Sequence, residues 1–418
     1  MILEPKNNIF TRSNSLDFLW QKYGNSVSYE LQIDDNQKFS SPVFDFSQIT
    51  DTKITLNVPL EDHHFRIRAV LDNGYKTMWN CIHFTILPTE HIIKENYSRT
   101  TSIFPVDLDK DGNMDILSSA DLLDQIVWWR NNGNQKFTSN IIEGNYDKAK
   151  SVSGIDIDND GDIDVLAAAY PNLICWWENE GNQNFKKHLI TKLLDEPKIV
   201  KAVDIDNDGD IDIFGVSLTE IIICINDGEN NFYIRFIDLQ ISLHSNCFVD
   251  LDKDGDIDLI GNTNEKPKKF IWLEYIGSFV YKKHIISDIE IGYRFAKDMD
   301  NDNDIDLISY YPFTYWENNG KQQFEAIPLD NNNEYTVSLC PADIDGDNDI
   351  DILGTHYWWE NRRNQNFKIH SINAPNINTR KVHPVDIDGD NDIDILSLSA
   401  DENYDLYKIS WWEMNLDQ

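Results

Sequence analysis

The sequence predicts an all-β chain, a seven-bladed β-propeller preceded by a small N-terminal β-sandwich. Three observations predict it. A nine-residue acidic segment, Asp-x-Asp-x-Asp-(Gly/Asn)-x-x-Asp, occurs seven times, beginning at Asp107, Asp156, Asp204, Asp250, Asp298, Asp343 and Asp386. The starts lie 49, 48, 46, 48, 45 and 43 residues apart, which is the length of one four-stranded blade. Residues 1–88 lack the segment and carry short period-two strands instead.

At 418 residues the chain is long enough for two or three domains. In 1–88 the strands read Ser28–Ile33, with Tyr29, Leu31 and Ile33 on one face, then Lys53–Val58 and Phe65–Leu71. Asp72-Asn73-Gly74 forms a turn into Trp79–Leu87. With Trp20 as a core indole, Tyr29–Ile33 as third strand and Phe65–Ala69 as penultimate strand, this segment resembles a fibronectin type III domain. Phe65 departs from the pattern. It stands where that family usually has a tyrosine whose hydroxyl pins a corner.

From residue 89 onward each repeat follows one order. A short apolar strand leads into the acidic segment, and two apolar residues leave it (Ile116-Leu117 in the first copy, Ile395-Leu396 in the last). An aromatic strand follows, as in Trp128-Trp129, Trp176-Trp177-Glu178-Asn179 and Trp358-Trp359-Glu360-Asn361. A Gly/Asn turn then leads to a strand opened by Phe137, Phe185, Phe232, Phe279, Phe324 or Phe367. Adjacent strand residues point to opposite faces, so paired tryptophans fill both sides of a sheet stacked between two neighbours. The small residue at position 12 (Ser118, Ala167, Gly215, Gly261, Ser309, Gly354, Ser397) is expected to face a neighbouring ring. The last repeat lacks a fourth strand, and Glu90–Ile93 resembles the missing one. Residues 90–94 are therefore expected to complete the last blade, so that 89–418 forms a closed propeller without an open edge.

The acidic segments point to a cation. Four carboxylates this close repel unless a positive ion sits among them, and Ca²⁺ favours hard, multidentate oxygen ligation. The spacing resembles the start of an EF-hand loop, but no Glu stands at position 12, so the ninth-position Asp must close the site. Position 6 is Gly112, Gly161, Gly209 and Gly255, then Asn303, Asn348 and Asn391. Both residue types tolerate the positive φ of a tight turn, and the three Asn copies are expected to bind more weakly.

These loops, each followed by two apolar residues, resemble the FG-GAP/VCBS repeat family, whose propellers include the integrin α-subunit head. The resemblance implies up to seven structural Ca²⁺ ions, side-chain oxygens from positions 1, 3, 5 and 9, and a main-chain carbonyl from position 7. The implied ligands are Asp107, Asp109, Asp111, Asn113 and Asp115; Asp156, Asp158, Asp160, Asp162 and Asp164; Asp204, Asp206, Asp208, Asp210 and Asp212; and Asp250, Asp252, Asp254, Asp256 and Asp258. The last three sets are Asp298, Asp300, Asp302, Asp304 and Asp306; Asp343, Asp345, Asp347, Asp349 and Asp351; and Asp386, Asp388, Asp390, Asp392 and Asp394.

Seven Ca²⁺ would return fourteen positive charges to a formal net charge of −36, leaving −22. That balance argues against nucleic acid and anionic membranes. No apolar run approaches a membrane span, so no membrane insertion is expected. The five cysteines are scattered and read as free thiols. The first residues lack the pattern of a signal peptide, while the calcium chemistry and the resemblance place the protein outside the cell or at its surface. A monomeric module within a larger secreted or surface protein is expected.

Strand alternation puts the acidic loops and the Gly/Asn turns at one end of the propeller. The connections at the other end are irregular in length and sequence, and such loops on a rigid frame commonly carry binding. They hold Tyr146, Tyr170, Tyr293, Arg294, Tyr310, Tyr311, Tyr335, His356, Tyr357, Arg380, Lys381 and His383, a set suited to a glycan or a protein ligand. The expected function is a non-catalytic binding or adhesion module. One alternative is a polysaccharide lyase acting on a uronate-containing glycan through His356, Tyr357, Arg380 and His383. The other is a structural subunit of a larger secreted assembly. No Ser/His/Asp set, zinc motif or phosphate loop is legible.

Overall fold

Among the described residues, every regular element in the computed structural model is a strand, and there are thirty-six. The structure describes residues 2–13, 15–59, 61–194, 196–197, 199–217, 220–237, 241–329, 338–363, 366–372, 378–401 and 403–414. Among these, no helix is long and apolar enough to cross a membrane. The chain divides into two units, one of Met1–His91, His370–Pro375 and Trp412–Gln418, the other of Ile92–Ile369 and Asn376–Trp411.

The first unit contains β1 (Ile2–Glu4), β2 (Ile9–Thr11), β3 (Ser15–Trp20), β4 (Ser26–Asp34), β5 (Phe44–Ile49), β6 (Lys53–Asn57), β7 (Glu61–Leu71) and β8 (Asn80–Ile86). They form two sheets, β1-β3-β6 and β2-β8-β7-β4-β5, with β2 parallel to β8. Alternation sets the buried face. Tyr29, Leu31 and Ile33 of β4 lie opposite Ala69, Ile67 and Phe65 of β7, and all six are buried. Phe18 fills the centre, its ring centroid 4.8 Å from Phe65 and 5.7 Å from Phe84. Trp20 is buried edge-on against Tyr29 at 5.4 Å. Phe65 makes no corner hydrogen bond. A different phenol pins a turn here: Tyr29 Oη accepts the Tyr23 N–H at 3.0 Å and meets Ser26 Oγ at 2.9 Å.

After β9 (Thr89–Ser98), seven four-stranded sheets are found among the described residues. The first is β10–β13 (Thr100–Val106, Asp115–Ala120, Gln125–Asn131, Phe137–Glu143), and the second β14–β17 (Ala149–Ile155, Asp164–Ala169, Leu173–Asn179, Phe185–Thr191). The third is β18–β21 (Ile199–Val203, Asp212–Val216, Ile221–Asn226, Phe232–Phe236), and the fourth β22–β25 (Ile241–Val249, Asp258–Thr263, Phe270–Tyr275, Tyr281–Ser287). The fifth is β26–β29 (Tyr293–Lys297, Asp306–Tyr310, Phe313–Asn318, Phe324–Pro328), and the sixth β30–β33 (Leu339–Ala342, Asp351–Gly354, Tyr357–Asn361, Phe367–Ser371). The seventh has β34 (Thr379–Val385), β35 (Asp394–Ala400) and β36 (Leu406–Glu413), with β9 beside β36 as its fourth strand.

The sequence signals map onto these strands closely. Every second strand begins on the ninth-position Asp, and the tryptophan pairs lie on the third strands. Both members are buried at Trp128-Trp129, Trp176-Trp177, Trp358-Trp359 and Trp411-Trp412. The fourth sheet departs from the expected pattern: Phe279 lies in the turn at φ 60°, and the strand opens at Tyr281. At position 12 a ring meets the small residue in two sheets, as expected, and aliphatic side chains do so in a third. Trp129 Nε1 and Trp316 Nε1 donate to Ser118 Oγ and Ser309 Oγ of their own sheets, at 2.8 and 3.0 Å. A Cβ on Gly215 would meet the aliphatic Leu194, Ile222 and Ile174. The first and seventh sheets share one core cluster, in which Ile103, Ile116 and Trp129 pack with Leu396, Leu398 and Trp411. Cys81, Cys175, Cys224 and Cys340 are free thiols.

Candidate metal centres

Each acidic segment joins the first and second strands of its sheet and folds by the same hydrogen bonds. The N–H of position 6 donates to Oδ2 of position 1 in all seven loops, at 2.9–3.1 Å. The N–H of position 7 donates to Oδ1 of position 5 in all seven. Position 6 has positive φ in every copy, from 71° at Asn348 to 98° at Gly255. Position 4 turns the same way at Lys110, Asn159, Asn207, Lys253, Asn301, Gly346 and Gly389, a second left-handed residue missed in the sequence although Asn and Gly dominate there.

The ninth-position Asp is buried and ties the second strand to the loop and to the third strand. Its Oδ2 accepts the N–H of position 2 in all seven loops. In six sheets its Oδ1 accepts the N–H of the residue ending the third strand, which is Asn131, Asn179, Asn226, Tyr275, Asn318 or Asn361. Burial is the main cause of the raised pKa of these carboxyls. Asp115, Asp212 and Asp258 are pushed to about 6, Asp164 and Asp306 to about 7, and Asp351 to about 8.

What the hydrogen bonds leave over decides whether a cation fits. Asp156, Asp204, Asp250, Asp298 and Asp343, all at position 1, each keep a buried Oδ1 with no partner, and Asp109 does so in the first loop. Carboxylate oxygens converge around these atoms, within 4.8 Å of one another in Asp107/Asp109/Asp115, Asp156/Asp158/Asp164 and Asp204/Asp206/Asp212. The same holds for Asp250/Asp252/Asp254 and Asp298/Asp300/Asp302. Buried acceptors without donors are costly, and an oxygen-only cluster of this kind is the donor set of a hard divalent cation.

The first loop carries its own cation. Arg130 Nε lies 2.5 Å from Asp109 Oδ2, and a terminal nitrogen lies 3.2 Å from Asp111 Oδ2. The matching residue is Glu178, Glu274, Glu317, Glu360 or Glu413 in five other sheets and Ile225 in the third. In the sixth loop Arg363 Nε reaches Asp349 Oδ2 at 2.6 Å, from outside the cluster of positions 1, 3 and 5.

Successive loops also touch. Lys110 Nζ meets Asp162 Oδ1 at 2.9 Å, Asn207 Nδ2 meets Asp256 Oδ1 at 3.0 Å, and Asn301 Nδ2 meets Asp349 Oδ1 at 2.9 Å. The Asn of Trp-Glu-Asn clasps the preceding loop. Asn179 Nδ2 donates to Ile163 O and Leu108 O, and Asn361 Nδ2 to Ile350 O and Met299 O. Asn131 Nδ2 does the same between Met114 O and Ile387 O, joining the first sheet to the seventh.

At the opposite end the expected ligand-face residues separate. Tyr146 is a core residue with no exposed surface, its hydroxyl donating to Ala167 O at 2.8 Å. Tyr310 is buried too. Both leave the candidate binding set, because each ring packs inward. Tyr311 is 78% exposed. Tyr170 is half-buried under Lys148 Nζ, 4.4 Å from its ring centroid. His356 is half-buried, with Nδ1 3.0 Å from Thr355 Oγ1, and Tyr357 packs 6.4 Å from Trp359. Arg380 is exposed and lies over the Tyr404 ring at 4.2 Å. His383 keeps a shielded Nε2 without a partner, and burial together with Lys381 and Lys201 pushes its pKa down to about 3. Tyr335 and the side chains of Tyr293 and Arg294 lie outside the described residues.

The profile of the FG-GAP-like repeat family matches residues 107–167 and 156–215. No curated protein matches the sequence. Among solved structures, the chain is similar to a lectin of Agrocybe aegerita described as recognising non-reducing terminal N-acetylglucosamine. The TM-score is 0.50 at 16% identity, covering 84% of this chain and 91% of the lectin. It is also similar to BBS1N, solved in complex with ARL6DN, with a TM-score of 0.52 at 11% identity, covering 79% of this chain and 98% of that one. These likenesses establish an all-β chain with FG-GAP-like repeats, built of four-stranded blades that resemble propeller structures.

Proposed function

We propose that the second unit is a Ca²⁺-stabilised seven-bladed FG-GAP propeller closed by β9, that the first unit is a fibronectin type III-like domain, and that the chain is a non-catalytic binding module. Positions 1, 3, 5 and 9 and the carbonyl of position 7 hold Ca²⁺ in loops two to seven, while Arg130 takes the place of the ion in the first. Bound Ca²⁺ supplies the positive charge that the converging carboxylates lack. The Asp side chains orient the loop, and the ninth Asp transmits its position to the Trp strand.

The single observation that carries this reading is the repeated buried Oδ1 of position 1, left over in five loops of identical hydrogen bonding. The acidic end is committed to the scaffold, which leaves the other end for a ligand. Exposed apolar side chains gather there, including Leu122, Leu123, Leu193, Tyr311 and Tyr404. The ligand class proposed is carbohydrate or a protein partner, and the likeness to a lectin fold supports the first. A lyase is less well supported, because a histidine with its pKa near 3, as at His383, is a poor general base.

A glycan array probed with Ca²⁺-loaded and chelator-treated protein tests the proposal, with ultraviolet absorbance of uronate polysaccharides read alongside. Calcium-dependent retention of one glycan class without new absorbance is expected. Rising absorbance from an unsaturated product would make the protein a lyase, and silence in both channels would redirect the search to protein partners.

A further inference from the structure

A cavity of about 390 Å³ lies between the starts of β10 and β34, at the end opposite the acidic loops. Its charge is opposite to that of the molecule. Arg99, Lys150, Arg380 and Lys381 line it, against one carboxylate, Asp121. Asp405 acts on Arg99 from the rim, and two positive charges remain after it is counted. This is an exception in a chain of net charge −36.

The cations fall into two pairs. Arg99 grips the buried Asp121 through two nitrogens, at 2.7 and 2.6 Å, and Lys150 Nζ reaches the same carboxylate at 3.0 Å. Asp121 thus fixes that wall. Arg380 and Lys381 have no carboxylate at ion-pair distance among the described residues. Arg380 Cζ lies over the Tyr404 ring, 4.2 Å from its centroid, a contact that uses none of its N–H donors toward a carboxylate. Among the described residues Lys381 Nζ finds only a hydroxyl, Ser102 Oγ at 3.1 Å. Burial and the nearby Lys201 push its pKa down to about 8, the response of an ammonium lacking a counter-ion. Leu398 and the nearly buried Tyr407 supply apolar and aromatic wall. An aromatic wall, hydroxyls and two unsatisfied cations in a space of this size suit one sugar ring bearing one negative charge.

We infer that this cavity binds a uronic-acid residue of a glycan, with Arg380 and Lys381 taking its carboxylate and Tyr407 flanking the ring. The inference rests on the binding-module reading and deepens it. Neutral sugars leave the two cations unanswered, so the site selects acidic glycans.

The test is calorimetric titration of the Ca²⁺-loaded full chain with a glucuronate-containing oligosaccharide, its carboxyl-reduced counterpart and a sulfated neutral oligosaccharide. The uronate form should bind and the reduced form should not. Arg380→Gln should weaken binding by about ten- to a hundredfold, the loss of one charge-assisted hydrogen bond. Arg380 is exposed, so this variant should melt like the parent, and Lys381→Gln provides the second measurement. Equal binding of the reduced form, or preference for the sulfated one, overturns the carboxylate assignment. Unchanged affinity in both variants overturns the site while leaving the module reading intact. Failure of all three sugars, with a different glycan retained on the array, sinks only the inference, whereas an empty array sinks the carbohydrate reading as well.

Discussion

One arginine separates the first acidic loop from the other six. A guanidinium and a divalent cation compete for the same carboxylates, and Arg130 is already tethered to its own strand. Replacing it with the glutamate found at the matching position of five other sheets should raise the number of Ca²⁺ bound by one, as counted by native mass spectrometry. An unchanged count would mean that Arg130 does not block the loop. The ninth-position carboxyls make a second prediction. Their folded pKa values, about 6 to 8 without the ion, lie above the ordinary carboxylate range, so the folded chain binds protons more tightly than the unfolded one. Stability from this source is complete at the acid end and is lost as pH rises through 6 to 8. In chelator the melting temperature should therefore fall between pH 5 and pH 8, and in excess Ca²⁺ it should not, because the cation replaces the proton. A chelated protein that melts higher at pH 8 than at pH 5 would refute the assignment.

At the scale of the strand and its loop, the clasp by the Trp-Glu-Asn asparagine is the device most open to test. Asn179→Ala removes the donor to two carbonyls, Leu108 O and Ile163 O. The cost should be about 1–3 kcal/mol, the penalty of leaving buried acceptors unmet, measured by urea denaturation in Ca²⁺. A loss below a few tenths of a kcal/mol would mean that water replaces the amide. The sequence showed that this asparagine recurs, yet not why, since one of its two partners lies in another repeat, 71 residues away for Asn179 and 256 for Asn131. The strand order, the buried tryptophans and the turn at position 6 were legible because each depends on local spacing. Tyr146 was misplaced because a loop tyrosine and a core tyrosine look alike until the hydroxyl finds Ala167 O. The basic cavity was half visible. Arg380 and Lys381 stand together in the sequence, but Arg99, just before the first sheet, and Lys150, on the second, join them only in the fold.

For the whole molecule, the loops are linked parts of one scaffold rather than seven independent sites. Loop touches loop through Lys110, Asn207 and Asn301, and in six sheets the ninth Asp bonds to the end of the third strand. Removing Ca²⁺ should therefore lower stability cooperatively, with one sharp calorimetric transition moving to lower temperature in chelator. A melting curve indifferent to chelator would show that the acidic loops need no metal. The seventh sheet also sets a timetable for biosynthesis. Six sheets can assemble from neighbouring segments as they leave the ribosome. β9 precedes all of them in the chain, yet its neighbour β36 follows them, with His91 and Glu413 322 residues apart. Contacts so distant in sequence form late, so β9 must wait with its edge open until the strands of the seventh sheet emerge. The nascent chain is most exposed to mispairing in that interval, before the last repeat emerges.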